Sequence, residues 1–135
     1  MSTPVKRPDA TAAVPATPAP PLDPVPVAAP IGWLLIVAAA TGLIIATWAL
    51  YPVTSDGMWA GYRGGVTATV VILCAMALNT SLPTKPFLGI IGLSGAFLVM
   101  SALFISDPTV VIVSEILSGA VILVGTLLYA AGHRR

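Results

Sequence analysis

The fold is decided by four long apolar runs, of which residues 109–131 read TVVIVSEILSGAVILVGTLLYAA and carry a single charge, Glu115. At about 1.5 Å per residue, a helix of this length covers roughly 35 Å, enough to cross the hydrocarbon core of a bilayer. Similar runs occupy residues 31–51, 59–81 and 87–105. Because backbone in lipid must satisfy its own hydrogen bonds, we predict an all-α membrane protein with four transmembrane helices.

The composition also predicts that the main partner of this chain is the lipid bilayer. Of its 135 residues, 57% are hydrophobic and 8% are charged, whereas a soluble domain carries about 25% charged residues. So few charges cannot cover a surface that faces water. The net charge of +1 provides no basic surface of the kind that nucleic-acid binding needs. A single cysteine, Cys74, excludes an internal disulfide.

Short polar connections separate the four runs and indicate how the helices are arranged. Residues 52–57, 79–86 and 106–108 contain proline, aspartate, asparagine, glycine or serine, which are typical of turns. Connections this short force neighbouring helices to run antiparallel, so we predict two antiparallel hairpins. At the last connection, Asp107 is a candidate N-cap, and Pro108 suits the first turn of the following helix.

The two ends of the chain differ from the transmembrane domain, which we place at residues 31–132. Nine of the thirteen prolines fall within residues 1–30, where they prevent a regular helix. We predict a disordered, Pro/Ala-rich tail there. Residues 133–135 form a short basic end.

Basic residues indicate the orientation of the helices. In a four-helix topology, five of the six fall on one side and only Arg63 falls on the other; the five are Lys6, Arg7, Lys85, Arg134 and Arg135. The positive-inside rule then places both termini in the cytoplasm. We expect a plasma-membrane location, such as a bacterial inner membrane.

Aromatic residues near the ends of the runs agree with this topology, because tryptophan and tyrosine favour the membrane–water interface. We expect Trp33 and Tyr129 near the cytoplasmic interface. The opposite interface is expected to hold Trp48, Tyr51, Trp59 and Tyr62.

Glu115 is the charged residue that most needs an explanation, because a carboxylate within a membrane helix is usually paired or functional. Arg63 enters the second helix from the same side and at nearly the same depth, which predicts an intramembrane ion pair. Two other interpretations are open. Glu115 could reach the interface or pair with another subunit, or it could serve transport or catalysis.

Small residues recur at spacings that let helix backbones approach closely in lipid. We expect them to pack helices within this chain, while at least one such face could dock a helix of another subunit. The candidate helix-packing residues are Ala38, Gly42, Ala46, Gly61, Gly65, Gly89, Gly92, Gly95, Ser118 and Gly119.

The sequence contains no catalytic constellation, and we expect no bound metal or cofactor. We therefore expect a non-catalytic accessory or structural subunit of a larger integral membrane complex, together with other integral membrane subunits. By analogy alone, that complex could be a redox or oxygenase assembly. The alternatives are a small oligomeric transporter or channel that uses Glu115, and a holin-like pore former.

Overall fold

A computed structural model describes residue 2, residues 15–21 and residues 26–134 of the chain. It contains four helices: α1 (Ala28–Ala49), α2 (Ser55–Ala77), α3 (Thr84–Phe104) and α4 (Thr109–His133). Each of them is long and apolar enough to cross a membrane. The predicted all-α fold with four transmembrane helices is thereby confirmed, and the chain is an integral membrane protein.

Helices α1 and α3 begin three residues earlier than predicted, because each of them contains a proline in its first turn. Pro30 and Pro86 are both the third residue of their helix. The first N–H groups of a helix have no partner within it, so a proline there loses no hydrogen bond. In α1 the first such bond runs from the Ile31 N–H to the Val27 carbonyl oxygen, over 3.2 Å.

The predicted tail therefore ends three residues sooner, and much of residues 1–30 lies outside the described residues. Within the described part, residues 15–21 are exposed and belong to no helix or strand.

Helix α2 begins four residues earlier than predicted, because the Thr54 side chain caps it by accepting the Gly57 N–H at 3.2 Å.

The four helices form a bundle in which neighbours in sequence are also neighbours in space. Helix α1 packs against α2 and α4, and α3 packs against the same two helices, so α2 and α4 lie diagonally opposite. The pairs α1–α2 and α3–α4 are the two predicted antiparallel hairpins. We call the end of the bundle that holds Ala28 and His133 the terminal end. The distal end holds Ala49, Ser55, Phe104 and Thr109.

Glycines set the close contact between α1 and α4 at the terminal end. An added Cβ at Gly32 would lie 2.5 Å from the Tyr129 nitrogen and 2.6 Å from the Gly125 carbonyl oxygen. One at Gly132 would lie 2.6 Å from the Ala29 nitrogen. No hydrophobic force drives helices together in lipid, so such close contact between backbones is a main source of packing energy.

A second close contact joins α3 to α4, and it uses two of the residues that the sequence indicated. An added Cβ at Gly119 would lie 2.7 Å from the Gly95 carbonyl oxygen, and one at Gly95 would lie 3.1 Å from the Gly119 carbonyl oxygen. Ser118 beside them is buried. These residues therefore pack helices within the chain.

The other candidate packing residues take less part in the bundle. Ala46 is buried, and added Cβ atoms at Gly61 and Gly92 would make only ordinary contacts, at 3.9 and 3.7 Å. Ala38 is exposed. Three further glycines have no atom within 4 Å of an added Cβ, and for these an internal packing role is wrong: Gly42, Gly65 and Gly89.

The sequence analysis did not single out Gly32, Gly125 and Gly132. For the two glycines of α4, the signal available was the series Ser118, Gly125 and Gly132 at intervals of seven residues, which places small residues along one stripe of that helix.

The α1–α4 contact leads to a prediction about stability. We expect Gly32→Ala to destabilise the folded bundle by about 1–3 kcal/mol, because the methyl group would meet backbone atoms that cannot move aside. The matched control is Gly65→Ala, in open space, which should be neutral or slightly stabilising because alanine is the better helix former. Unfolding in mixed micelles followed by circular dichroism measures both. Equal losses in the two variants would contradict the close contact.

Candidate functional site

Three helices and the two connections at the distal end bring a set of polar side chains together inside the bundle. Arg63 is the ninth residue of α2, and Glu115 is the seventh residue of α4. At about 1.5 Å per residue, the two lie roughly 12 and 9 Å into the distal end. Because α2 and α4 are diagonal, the pair spans the interior of the bundle.

The Arg63 guanidinium binds two carboxylates. Its Nε and Nη2 donate to Oε1 of Glu115 at 3.1 and 2.8 Å, and Nη2 also donates to Oδ2 of Asp107 at 2.6 Å. The structure thus brings together Arg63 and Glu115, which the sequence paired by depth. It adds Asp107, from the connection between α3 and α4, as a third member.

Hydroxyl groups complete the surroundings of the carboxylates. The Ser101 hydroxyl of α3 lies 3.0 Å from Oε2 of Glu115 and 2.9 Å from the Leu98 carbonyl oxygen. Next to Glu115 in α4, the Ser114 hydroxyl lies 2.8 Å from the Tyr51 hydroxyl. Burial raises the pKa of the Tyr51 phenol, which lies in the connection between α1 and α2, so this hydroxyl keeps its proton.

The Glu115 side chain is completely buried, and those of Asp107 and Arg63 are 7% and 17% exposed. An isolated charge in such a place is very unfavourable, and only pairing and hydrogen bonds make it tolerable. Both oxygens of Glu115 have partners. The three charges sum to −1, because one guanidinium serves two carboxylates. Arg63 is therefore the member of this cluster whose loss would be most damaging.

Asp107 does not cap α4, contrary to the prediction. The N-cap position of α4 is occupied by Pro108, with no side-chain hydrogen bond, and the Asp107 carboxylate turns instead to Arg63. At either position the carboxylate would form a charge-assisted hydrogen bond, but only at Arg63 are both partners charged, and the largely buried guanidinium needs its counter-charge.

The predicted interface aromatics divide into two groups. Three of them extend outward near the distal end, where Trp48 is 88%, Trp59 75% and Tyr62 69% exposed. The other three have their polar atoms bound within the bundle. Tyr51 contacts Ser114, as described above. The Trp33 indole nitrogen donates to the Ala75 carbonyl oxygen at 2.8 Å, and the Tyr129 hydroxyl donates to that of Leu78 at 3.3 Å.

Two open grooves border the distal half of the bundle. One lies between α1 and α4, has a volume of about 640 Å³, and is lined by residues that include Ala38, Gly42 and Ser118. The other is of similar volume, lies between α1 and α2, and includes Trp48 and Tyr62. Among the described residues, no group of three or more His, Cys, Asp or Glu side chains is placed to hold a metal ion.

The sequence analysis missed Ser101, Ser114 and Asp107 as members of the cluster. Ser114 precedes Glu115 directly, and Asp107 lies two residues before the start of the same helix. Their closeness to Glu115 along the chain was therefore available as a signal. Ser101 gave none, because the packing of α3 against α4 decides its contact.

Comparison with known proteins adds no further information about the site. No protein family, no curated protein and no solved structure matches the chain.

The charge balance of the cluster predicts that removing the charge of Arg63 destabilises the bundle more than removing the charge of Glu115. We expect Arg63→Gln to destabilise the bundle by about 3–5 kcal/mol, because it leaves two carboxylates unpaired. Glu115→Gln should cost less, since Arg63 keeps Asp107. Combining both changes should recover part of the stability that Arg63→Gln loses, with a coupling of about 0.5–3 kcal/mol.

Unfolding in mixed micelles, analysed as a double-mutant cycle, measures this coupling. Arg134→Gln, at an exposed position beyond α4, is the control and should leave stability unchanged. If the effects of Arg63→Gln and Glu115→Gln simply add, the two side chains do not stabilise the fold as a pair.

Proposed function

We propose that this chain is a non-catalytic structural subunit of a larger integral membrane complex. The observation that carries the proposal is the state of Glu115, which is completely buried with both oxygens occupied by Arg63 and Ser101. A carboxylate in that position is bound within the bundle, and its counter-charge cannot be removed without a large loss of stability. It does not present a free group to a substrate.

The same observation weighs against the transport alternative. A carboxylate that couples to ion movement must release its partner and meet the ion. Arg63 holds Oε1 of Glu115 through two donors and simultaneously binds Asp107. Releasing Glu115 would leave a buried carboxylate without its counter-charge, at a cost of several kcal/mol. The closed cluster therefore favours a structural role over a transporting one.

Outward-facing small residues support the association with other membrane subunits. Gly42, Gly65 and Gly89 lie on different helices, and each has open space where a side chain would begin. Glycine weakens a helix relative to alanine, so a glycine that packs nothing within the chain has a cost and no internal gain. Close approach of a helix from outside would supply the missing packing.

We further propose a plasma-membrane location with both termini in the cytoplasm. Lys85 and Arg134 lie at the terminal end, and Asp107 and Glu115 lie toward the distal end. By the positive-inside rule, the terminal end then faces the cytoplasm.

The subunit proposal is tested by the size of the native assembly. After extraction in a mild detergent, we expect the 13.7 kDa chain to migrate with other membrane proteins, in an assembly much larger than two copies. Migration only as a monomer or as copies of itself would contradict the proposal. So would proton- or cation-dependent flux across vesicles that disappears in Glu115→Gln.

The proposed orientation is tested with a matched pair of exposed serines, Ser81 between α2 and α3 and Ser106 between α3 and α4. In a Cys74→Ser background, a membrane-impermeant maleimide added to intact cells should label Ser106→Cys. It should label Ser81→Cys only after the membrane is opened. The reverse pattern would place the termini outside.

A further inference from the structure

The charged side chains of the described residues are divided between the two ends of the bundle. All three carboxylates lie in its distal half: Asp56, Asp107 and Glu115. Arg63 lies there too and binds two of them. The terminal end carries Lys85 and Arg134, and no side-chain carboxylate of the described residues lies near it. The positive charge of the terminal end therefore has no counter-charge within the described part of the chain.

The packing of α3 against α4 brings basic residues of both helices together at the terminal end. An added Cβ at Gly92 would lie 3.7 Å from Cγ2 of Thr126, so these two residues face each other. Lys85 is seven residues before Gly92, and His133 is seven residues after Thr126. Seven residues make almost two helical turns, so both return to the facing sides of their helices, roughly 10 Å nearer the terminal end. Lys85 and His133 are therefore neighbours, and Arg134 follows directly.

The His133 ring is held in place beside the two charged side chains. It stacks on the ring of the buried Tyr129, with the two centroids 4.4 Å apart. An imidazole offers at least one N–H donor in either protonation state. Lys85, His133 and Arg134 are all exposed, and both ion pairs found among the described residues belong to Arg63. This corner of the bundle therefore presents donors and positive charge to whatever lies outside it.

The depth of these side chains in the membrane indicates which anion they meet. Lys85 is the second residue of α3, and Arg134 follows the last residue of α4. Both therefore lie at the edge of the hydrocarbon layer, where the headgroups of phospholipids begin. Ammonium and guanidinium groups form charge-assisted hydrogen bonds with phosphate oxygens. Basic residues between membrane helices are a known means of binding anionic headgroups, whereas a zwitterionic headgroup would bring a further cation to a corner that is already positive.

We propose that the corner between α3 and α4 at the terminal end binds the phosphate group of an anionic phospholipid. Lys85 and Arg134 supply the positive charge, and the His133 ring donates a hydrogen bond beside them. The acyl chains extend from there toward the middle of the bilayer, along the apolar surfaces of the two helices. The site needs no other subunit, so it does not depend on the proposed function.

Native mass spectrometry of the full chain in a mild detergent tests the site with two lipids of equal chain length, phosphatidylglycerol and phosphatidylcholine. We expect the chain to retain one phosphatidylglycerol molecule, with an affinity at least about tenfold above that for phosphatidylcholine, because two basic side chains contribute. Equal retention of the two lipids would overturn the proposal.

Three single substitutions locate the site. Lys85→Gln and Arg134→Gln should each weaken the binding of phosphatidylglycerol about fivefold, the loss expected for one basic side chain at a membrane surface. His133→Phe keeps a ring that can stack on Tyr129 but removes the N–H donor, and it should weaken binding about threefold. Both charged positions are exposed, so the helical circular dichroism of these variants should match that of the wild type. Wild-type affinity in both Lys85→Gln and Arg134→Gln would show that the lipid binds elsewhere.

A relocated charge separates a local site from a general effect of net charge. Val53 is 95% exposed in the connection between α1 and α2, at the distal end. Adding Val53→Lys to Lys85→Gln therefore restores the net charge of +1 at the opposite end of the bundle. This double variant should bind phosphatidylglycerol as weakly as Lys85→Gln does. Recovery of wild-type affinity would contradict the proposal, because net charge alone would then explain binding.

Inorganic phosphate distinguishes a lipid headgroup from a free anion. It supplies the same kind of oxygen without acyl chains, so at equal concentration it should not displace phosphatidylglycerol. Displacement would overturn the assignment to lipid. None of these results bears on the proposed subunit function, which depends on the size of the native assembly.

Discussion

The ion pair between Arg63 and Glu115 is the interaction on which the arrangement of this bundle depends. It joins two helices that are diagonal and otherwise have little contact. Because Glu115 is completely buried, its charge is tolerable only where Arg63 meets it. That requirement determines the relative depth and rotation of α2 and α4 at the distal end. Ser101 then joins α3 to the same cluster, and Asp107 joins the connection between α3 and α4 to it.

The two ends of the bundle are held together by different means. At the terminal end, Gly32, Gly125 and Gly132 let α1 and α4 approach until backbone meets backbone. At the distal end, charged and hydroxyl groups join α2, α3 and α4. The groove between α1 and α4 is lined there by uncharged residues.

Much of the fold, and part of the site, could be predicted from single residues and their spacing. The length and apolarity of the four runs predicted the helices, and equal depth predicted the contact between Arg63 and Glu115. Helices α1 and α3 begin before the predicted residues because the first turn of a helix tolerates Pro30 and Pro86. The position of Asp107 before α4 suggested a cap, and only the position of Arg63 shows why its carboxylate turns elsewhere.

By itself, the sequence determined that this chain crosses a membrane as four helices in two hairpins. Hydropathy and length are local properties, and lipid permits few alternatives. Only the tertiary structure decided which small residues pack helices and which remain open. Gly42 and Gly119 are both glycines within apolar helices, but Gly42 borders a groove, whereas Gly119 lies against the Gly95 carbonyl oxygen. The rotation of each helix makes that distinction, and it is set by contacts between residues far apart in the chain.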